Sequence, residues 1–174
     1  LSKTGMALLV FCWASLLTAQ APAQPELGYR SAPLRRKKGL SFKDLNKNGQ
    51  VDPYEDWRLP VEKRVQDLLK RMTLEEKAGF MIISSIRMEG DNTFTPELPR
   101  RELSSALEER DLYSTVNMFT RKPLRDTFLN IAATTRGVKN LHLRHFILRS
   151  NASARLTAEW ANNLQALAES TRLG

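Results

Sequence analysis

The feature that most restricts how this chain can fold is the run from Asp44 to Glu55, DLNKNGQVDPYE. Asp and Asn stand at alternate positions ahead of a glycine, a composition that suits neither a helix nor a strand. Short polar side chains at such spacing bond back to the main chain and close it into a loop. Set against a twelve-residue calcium loop, Asp44, Asn46 and Asn48 take positions 1, 3 and 5. Gly49 takes position 6, where the chain turns sharply. Gln50 offers its backbone carbonyl at 7, Asp52 stands at 9, and Glu55 can bind with both oxygens at 12. Val51 supplies the apolar residue at position 8. The helix that would lead into such a loop is not expected, because Pro33 and Gly39 interrupt residues 33 to 43. The expectation is a single structural calcium site held by Asp44, Asn46, Asn48, Gln50, Asp52 and Glu55, with a metal-free Asx-rich turn as the alternative.

Upstream, Lys3 precedes an apolar run from Met6 to Leu17, followed by small residues at Ala19 and Ala21. That order predicts a signal peptide over residues 1–21 and a secreted or periplasmic protein. The run is 12 residues long, against about 20 for a membrane span, so no stable membrane anchor is expected. Cys12 is the only cysteine and lies inside this segment. A processed chain would therefore hold no disulfide, thiolate metal site or cysteine nucleophile.

The formal charge of +8 raises the question of nucleic acid. A nucleic-acid binder gathers its basic residues on one face. Here only Arg35 to Lys38 forms a run, and the other basic residues alternate with acids. Residues 22–60 read as a lead or linker that carries the calcium loop, and no nucleic-acid partner is expected.

Beyond Pro60 the hydrophobic periodicity takes over. Val61, Val65, Leu68, Leu69 and Met72 lie on one helical face. Thr73 and Glu76 form a capping box that opens a second helix. Phe80 to Ile86 reads as a buried strand, and residues 88–140 as an elaborated loop with a short helix over 101–110. Leu141 to Leu148 reads as a second strand. Ser150 and Asn151 offer caps for a helix carrying Leu156, Trp160, Leu164 and Leu167. Alternation of this kind predicts α/β architecture with a parallel sheet.

Three blocks carry a resemblance. Asp44 to Trp57 with Val61 to Leu69 looks like the opening of secreted bacterial β-glucosidases. Arg71 to Lys77, RMTLEEK, resembles the start of glycoside hydrolase family 3 catalytic domains. His145 to Arg149 and Ala158 to Glu169 look like that family's second strand and following helix. The resemblance implies that residues 61–174 are the amino-terminal part of a (β/α)₈ TIM-type barrel, incomplete in this chain. It implies retaining hydrolysis of terminal β-linked sugars, from an oligosaccharide or an aryl or alkyl β-glycoside, by two carboxyl groups about 5 Å apart. It also places the nucleophile, the acid/base and a sugar-binding lysine–histidine pair beyond Gly174, so no catalytic residue is expected here and the chain alone is expected to be inactive.

Arg149 and Asn151 are the candidate substrate-binding residues, since they lie at the carboxyl end of the second strand, where barrel enzymes place their sites. Glu75 with Glu76 and Glu108 with Glu109 are adjacent on expected helices, where neighbours do not face each other, and read as capping and solvated groups. His142 and His145, three apart on an expected strand, would point to opposite faces. Trp160 reads as core. The alternative from another class is a non-catalytic, calcium-dependent extracellular binding module, which usually duplicates its loop; only one loop is found.

Overall fold

The computed structural model describes residues 23–92, 101–117 and 119–174, so the expected signal peptide lies outside the described residues. The lead is more structured than its composition suggests. Strands β1 (Leu34–Lys37) and β2 (Leu40–Lys43) form an antiparallel hairpin. Its two turn residues, Lys38 and Gly39, both have positive φ, as a two-residue turn between right-twisting strands requires. Phe42 of β2 is buried and stacks on Trp57 at 5.5 Å between ring centroids.

Helix α1 (Val61–Arg71) follows Pro60, with Glu62 in its first turn and Lys70 and Arg71 in its last. These charges complement the helix dipole. No α1 residue is buried, and Val61, Val65 and Leu69 of its apolar stripe are exposed. Helix α2 (Leu74–Phe80) opens with the capping box: Thr73 accepts from the Glu76 amide and Glu76 from the Thr73 amide. Phe80 therefore ends a helix, and strand β3 begins later than expected, spanning Ile83–Ile86.

Residues 101–110 contain no helix, contrary to expectation. Their chain runs against the end of β3, where Met88 pairs with Leu107 and the Glu89 amide donates to the Ala106 carbonyl. The region read as a loop also holds a hairpin of β4 (Leu112–Val116) and β5 (Pro123–Ile131), then a short helix α3 (Thr134–Lys139).

The second expected strand is shorter than its apolar run. Strand β6 spans His145–Leu148, because His142 adopts a left-handed φ and breaks the extended chain. β6 pairs with β3 in parallel, with Ile83 opposite His145 and Ile86 opposite Leu148. Helix α4 (Ala154–Glu169) is capped by Ser153, whose side chain accepts from the Leu156 amide. It covers one face of the β3–β6 pair, where Ile86, Met88 and Trp160 form the core with Phe146, Leu148, Leu156 and Leu164 packed around them. Among the described residues the result is a mixed α/β structure with three two-stranded sheets, none of them closed.

Candidate functional site

Strand parity decides what the β3–β6 pair presents on its other face. Side chains alternate across a strand. Ile86, Met88, Phe146 and Leu148 point toward α4, so Ile83, Ser85 and Arg87 of one strand, and Ile147 and Arg149 of the other, belong to the opposite face. That face is largely open: Ile83 is 68% exposed and Ile147 49%. The ladder continues past β6, since the Arg149 amide donates to the Ile86 carbonyl at 2.9 Å. Arg149 is exposed, and its Nε donates to Ser85 Oγ at 3.0 Å. Asn151 is exposed two residues on.

The segments leaving the two strands are tied to each other. Ser150 Oγ donates to Asp91 Oδ2 at 2.5 Å and accepts from the Met88 amide at 2.9 Å. Arg87 is only 2% exposed, and its Nη1 donates to the Asp91 carbonyl. Glu108 is buried beside it and ion-pairs with Arg110 at 2.6 Å. Glu108 is thus neither helical nor solvated, as its neighbours in sequence had suggested. Burial works to raise its pKa, but bonds from Arg110 and the nearby Arg87 charge hold it below the usual range. Ser85, Arg87 and Ser150 escape a reading by residue type, although the parity set by Ile86 and Met88 places the first two on the open face.

Glu76, His145 and Trp160 fill structural roles, while Glu75 is exposed. Glu76 closes the capping box and ion-pairs with Arg172. Only His145 of the two histidines lies in a strand, and its ring meets Phe80 edge-on at 4.8 Å. Trp160 sits in the core.

The loop from Asp44 to Glu55 closes as its composition predicts. Asp44, wholly buried, accepts from the Asn48 and Gly49 amides and from Arg35 Nε at 2.8 Å. Burial works to raise its pKa, but Arg35 and the amides lower it below the usual range. Asn46 Oδ1 accepts from the Asn48 amide, and Asn48 Oδ1 from the Gln50 amide. Glu55 accepts from the amides of Leu45, Asn46 and Asp52. The side-chain amides of Asn46 and Asn48 converge on Asp52 Oδ2 at 2.6 and 2.7 Å, and Arg71 forks onto both Asp52 oxygens at 2.9 and 3.2 Å. Among the described residues no three His, Cys, Asp or Glu side chains gather to hold a metal ion. The convergence here is of two amides on one carboxylate.

No family model matches the chain. Among curated proteins, it is 39% identical over 157 residues to the periplasmic beta-glucosidase/beta-xylosidase of Dickeya chrysanthemi, covering 90% of this chain and 19% of that protein. The chain is a glycoside hydrolase family 3-like sequence. It is also 33% identical over 129 residues to probable beta-glucosidase C of Aspergillus oryzae, covering 74% of this chain and 16% of that protein. A probable beta-glucosidase C of Aspergillus flavus is 32% identical over 164 residues, covering 94% of this chain and 20% of that protein. The family 3-like chain thus spans about a fifth of the length of the curated relatives it matches.

Proposed function

We propose that this chain supplies the first two strand–helix units of an exported β-glycosidase that removes terminal β-linked sugars with retention of configuration. The observation that carries this reading is the open face of the β3–β6 pair. A parallel pair covered by α4 on one side and left open on the other, with Ile83 and Ile147 exposed, suits the start of a (β/α)₈ barrel, whose interior is filled by side chains from all eight strands. Ile83 and Ile147 would then face the barrel interior, and Arg149 and Asn151 would stand at its carboxyl rim as substrate-binding residues. The relatives named for glucosides and a xyloside support a β-glycoside substrate. On this reading residues 1–21 are a signal peptide, 22–60 a lead segment and 61–174 the barrel portion, and the two catalytic carboxyl groups come from outside residues 1–174. Export is supported by the relative named periplasmic. Among the described residues no helix is long and apolar enough to cross a membrane.

The test compares two proteins on an aryl β-glucoside: the complete reading frame containing this chain, and the 174-residue chain alone. Nitrophenol release by the first and none by the second is expected. Release by neither overturns the enzymatic reading, and a Ca²⁺-dependent binding module then takes its place.

We also infer that the loop 44–55 takes one calcium ion, which staples the lead to the domain. The convergence of Asn46, Asn48 and Asp52 supports it, because a half-turn of each side-chain amide would present two amide oxygens and a carboxylate to one point. Asp44, the Gln50 carbonyl and Glu55 complete an oxygen set suited to a hard cation. Calorimetric titration after chelator treatment tests it. No heat and no shift in Tm with millimolar calcium would sink the idea.

A further inference from the structure

We propose that Ser85 is a positioning residue for sugar recognition, holding the Arg149 guanidinium so that its forked end faces the substrate. The inference rests on the β-glycosidase reading and goes one residue beyond it.

The argument begins with a conflict of charge. The Arg149 amide bonds to the Ile86 carbonyl, which extends the β3–β6 register and sets Arg87 beside Arg149 on the same face. Two guanidinium groups at that spacing repel. The structure separates them. Arg87 is drawn under the segment after β3, where it donates to the Asp91 carbonyl and lies near the Glu108 charge. Arg149 turns back along β3 instead, and its Nε is taken by Ser85 Oγ at 3.0 Å.

That single bond leaves much of the guanidinium unused. Nη1 and Nη2 of Arg149 make no hydrogen bond among the described residues. With Nε anchored, the planar group can no longer swing freely about its long side chain. The remaining fork presents parallel N–H donors, a geometry that fits two adjacent sugar hydroxyl oxygens. Next door, Ser150 is bound on both sides by Asp91 and Met88, so the backbone beneath Arg149 is also held. Orientation of this kind is effective because the ordering is complete before substrate arrives.

The experiment is a double-mutant cycle in the complete enzyme, with an aryl β-glucoside as the probe. Arg149→Ala is expected to lower kcat/KM more than Ser85→Ala. Ser85→Ala is expected to lower it about threefold to tenfold, the range for losing one hydrogen bond, chiefly through KM. Ser85→Thr, which keeps the hydroxyl, should recover most of that loss. Ser85→Ala should have no further effect once Arg149 is alanine. An unchanged KM in Ser85→Ala, with or without a lowered Tm, overturns the proposal, as does an equal effect in both backgrounds. A wild-type enzyme that hydrolyses nothing overturns the glycosidase reading itself, and the proposal falls with it.

Discussion

Glu169 Oε2 accepts the backbone N–H of Ser31 at 2.6 Å, across 138 positions of sequence. The amides of Arg30 and Ala32 reach the same oxygen at 2.8 and 2.9 Å. Three successive amides thus cradle one wholly buried carboxylate at the end of α4. Lys47 adds to the joint from the loop, donating to the carbonyls of Glu169 and Thr171. The lead segment is therefore fastened to the helix rather than trailing from it.

Protonating Glu169 should loosen this joint. Burial works to raise its pKa, but the three amides and Gln165 overcome that and hold the group at about 2, below its ordinary 4.5. A depressed carboxyl pKa contributes stability that is full above the unfolded value and is lost as pH falls through the folded one. The difference corresponds to about 3 kcal/mol. Tm should therefore be level above pH 5 and fall between pH 4.5 and 2, and Glu169→Gln should flatten that part of the profile while lowering Tm at neutral pH. A mutant with the wild-type acid profile would show that the joint does not carry the effect.

A methyl group should not fit at Gly79. Its Cβ would stand 2.2 Å from the Leu141 carbonyl oxygen and 2.8 Å from the His142 carbonyl carbon. Alanine is otherwise favoured in a helix by about 1 kcal/mol. The close backbone approach should reverse that sign, and Gly79→Ala should destabilise by about 1–3 kcal/mol through overpacking. Thermal or denaturant unfolding reads the sign directly, and a stabilised variant would contradict the packing of α2 against residues 141–142.

Arg71 and calcium should partly replace each other. Arg71 forks onto Asp52 and also pairs with Asp67 at 2.9 Å. Arg71→Ala leaves these carboxylates without their guanidinium, at a cost of about 1–3 kcal/mol. If the loop takes a cation, millimolar calcium should restore part of the lost Tm, and the variant should bind it more tightly than the wild type. Equal losses with calcium and with chelator would mean that arginines alone balance this loop.

Local chemistry was the legible part of the sequence. The Thr73–Glu76 box, the Pro60 helix start and the turn at Gly49 each depend on neighbours within a few positions, and the structure has all three. Strand limits were less legible, because apolar runs do not mark where hydrogen bonding starts: Phe80 ends a helix and Leu141 lies at a bend, and both are exposed. Residues 101–110 have helix-favouring composition, yet the bridge of Leu107 with Met88 holds them in a non-helical course that bends at Ser105 and Ala106. The β4–β5 hairpin was hidden by Pro123 and by a polar surface with no strict alternation. In the candidate site, the place of Arg149 just past a strand end was visible in the sequence. Its partner Ser85 depends on a register between segments 64 positions apart, which periodicity does not encode.

The most direct measurement is proton NMR of the products formed from an aryl β-glucoside by the complete reading frame containing this chain. Retaining hydrolysis by a family 3-like barrel predicts that the β-anomer of the free sugar appears first and mutarotates later. Initial release of the α-anomer, or no hydrolysis of any β-glycoside, would contradict it.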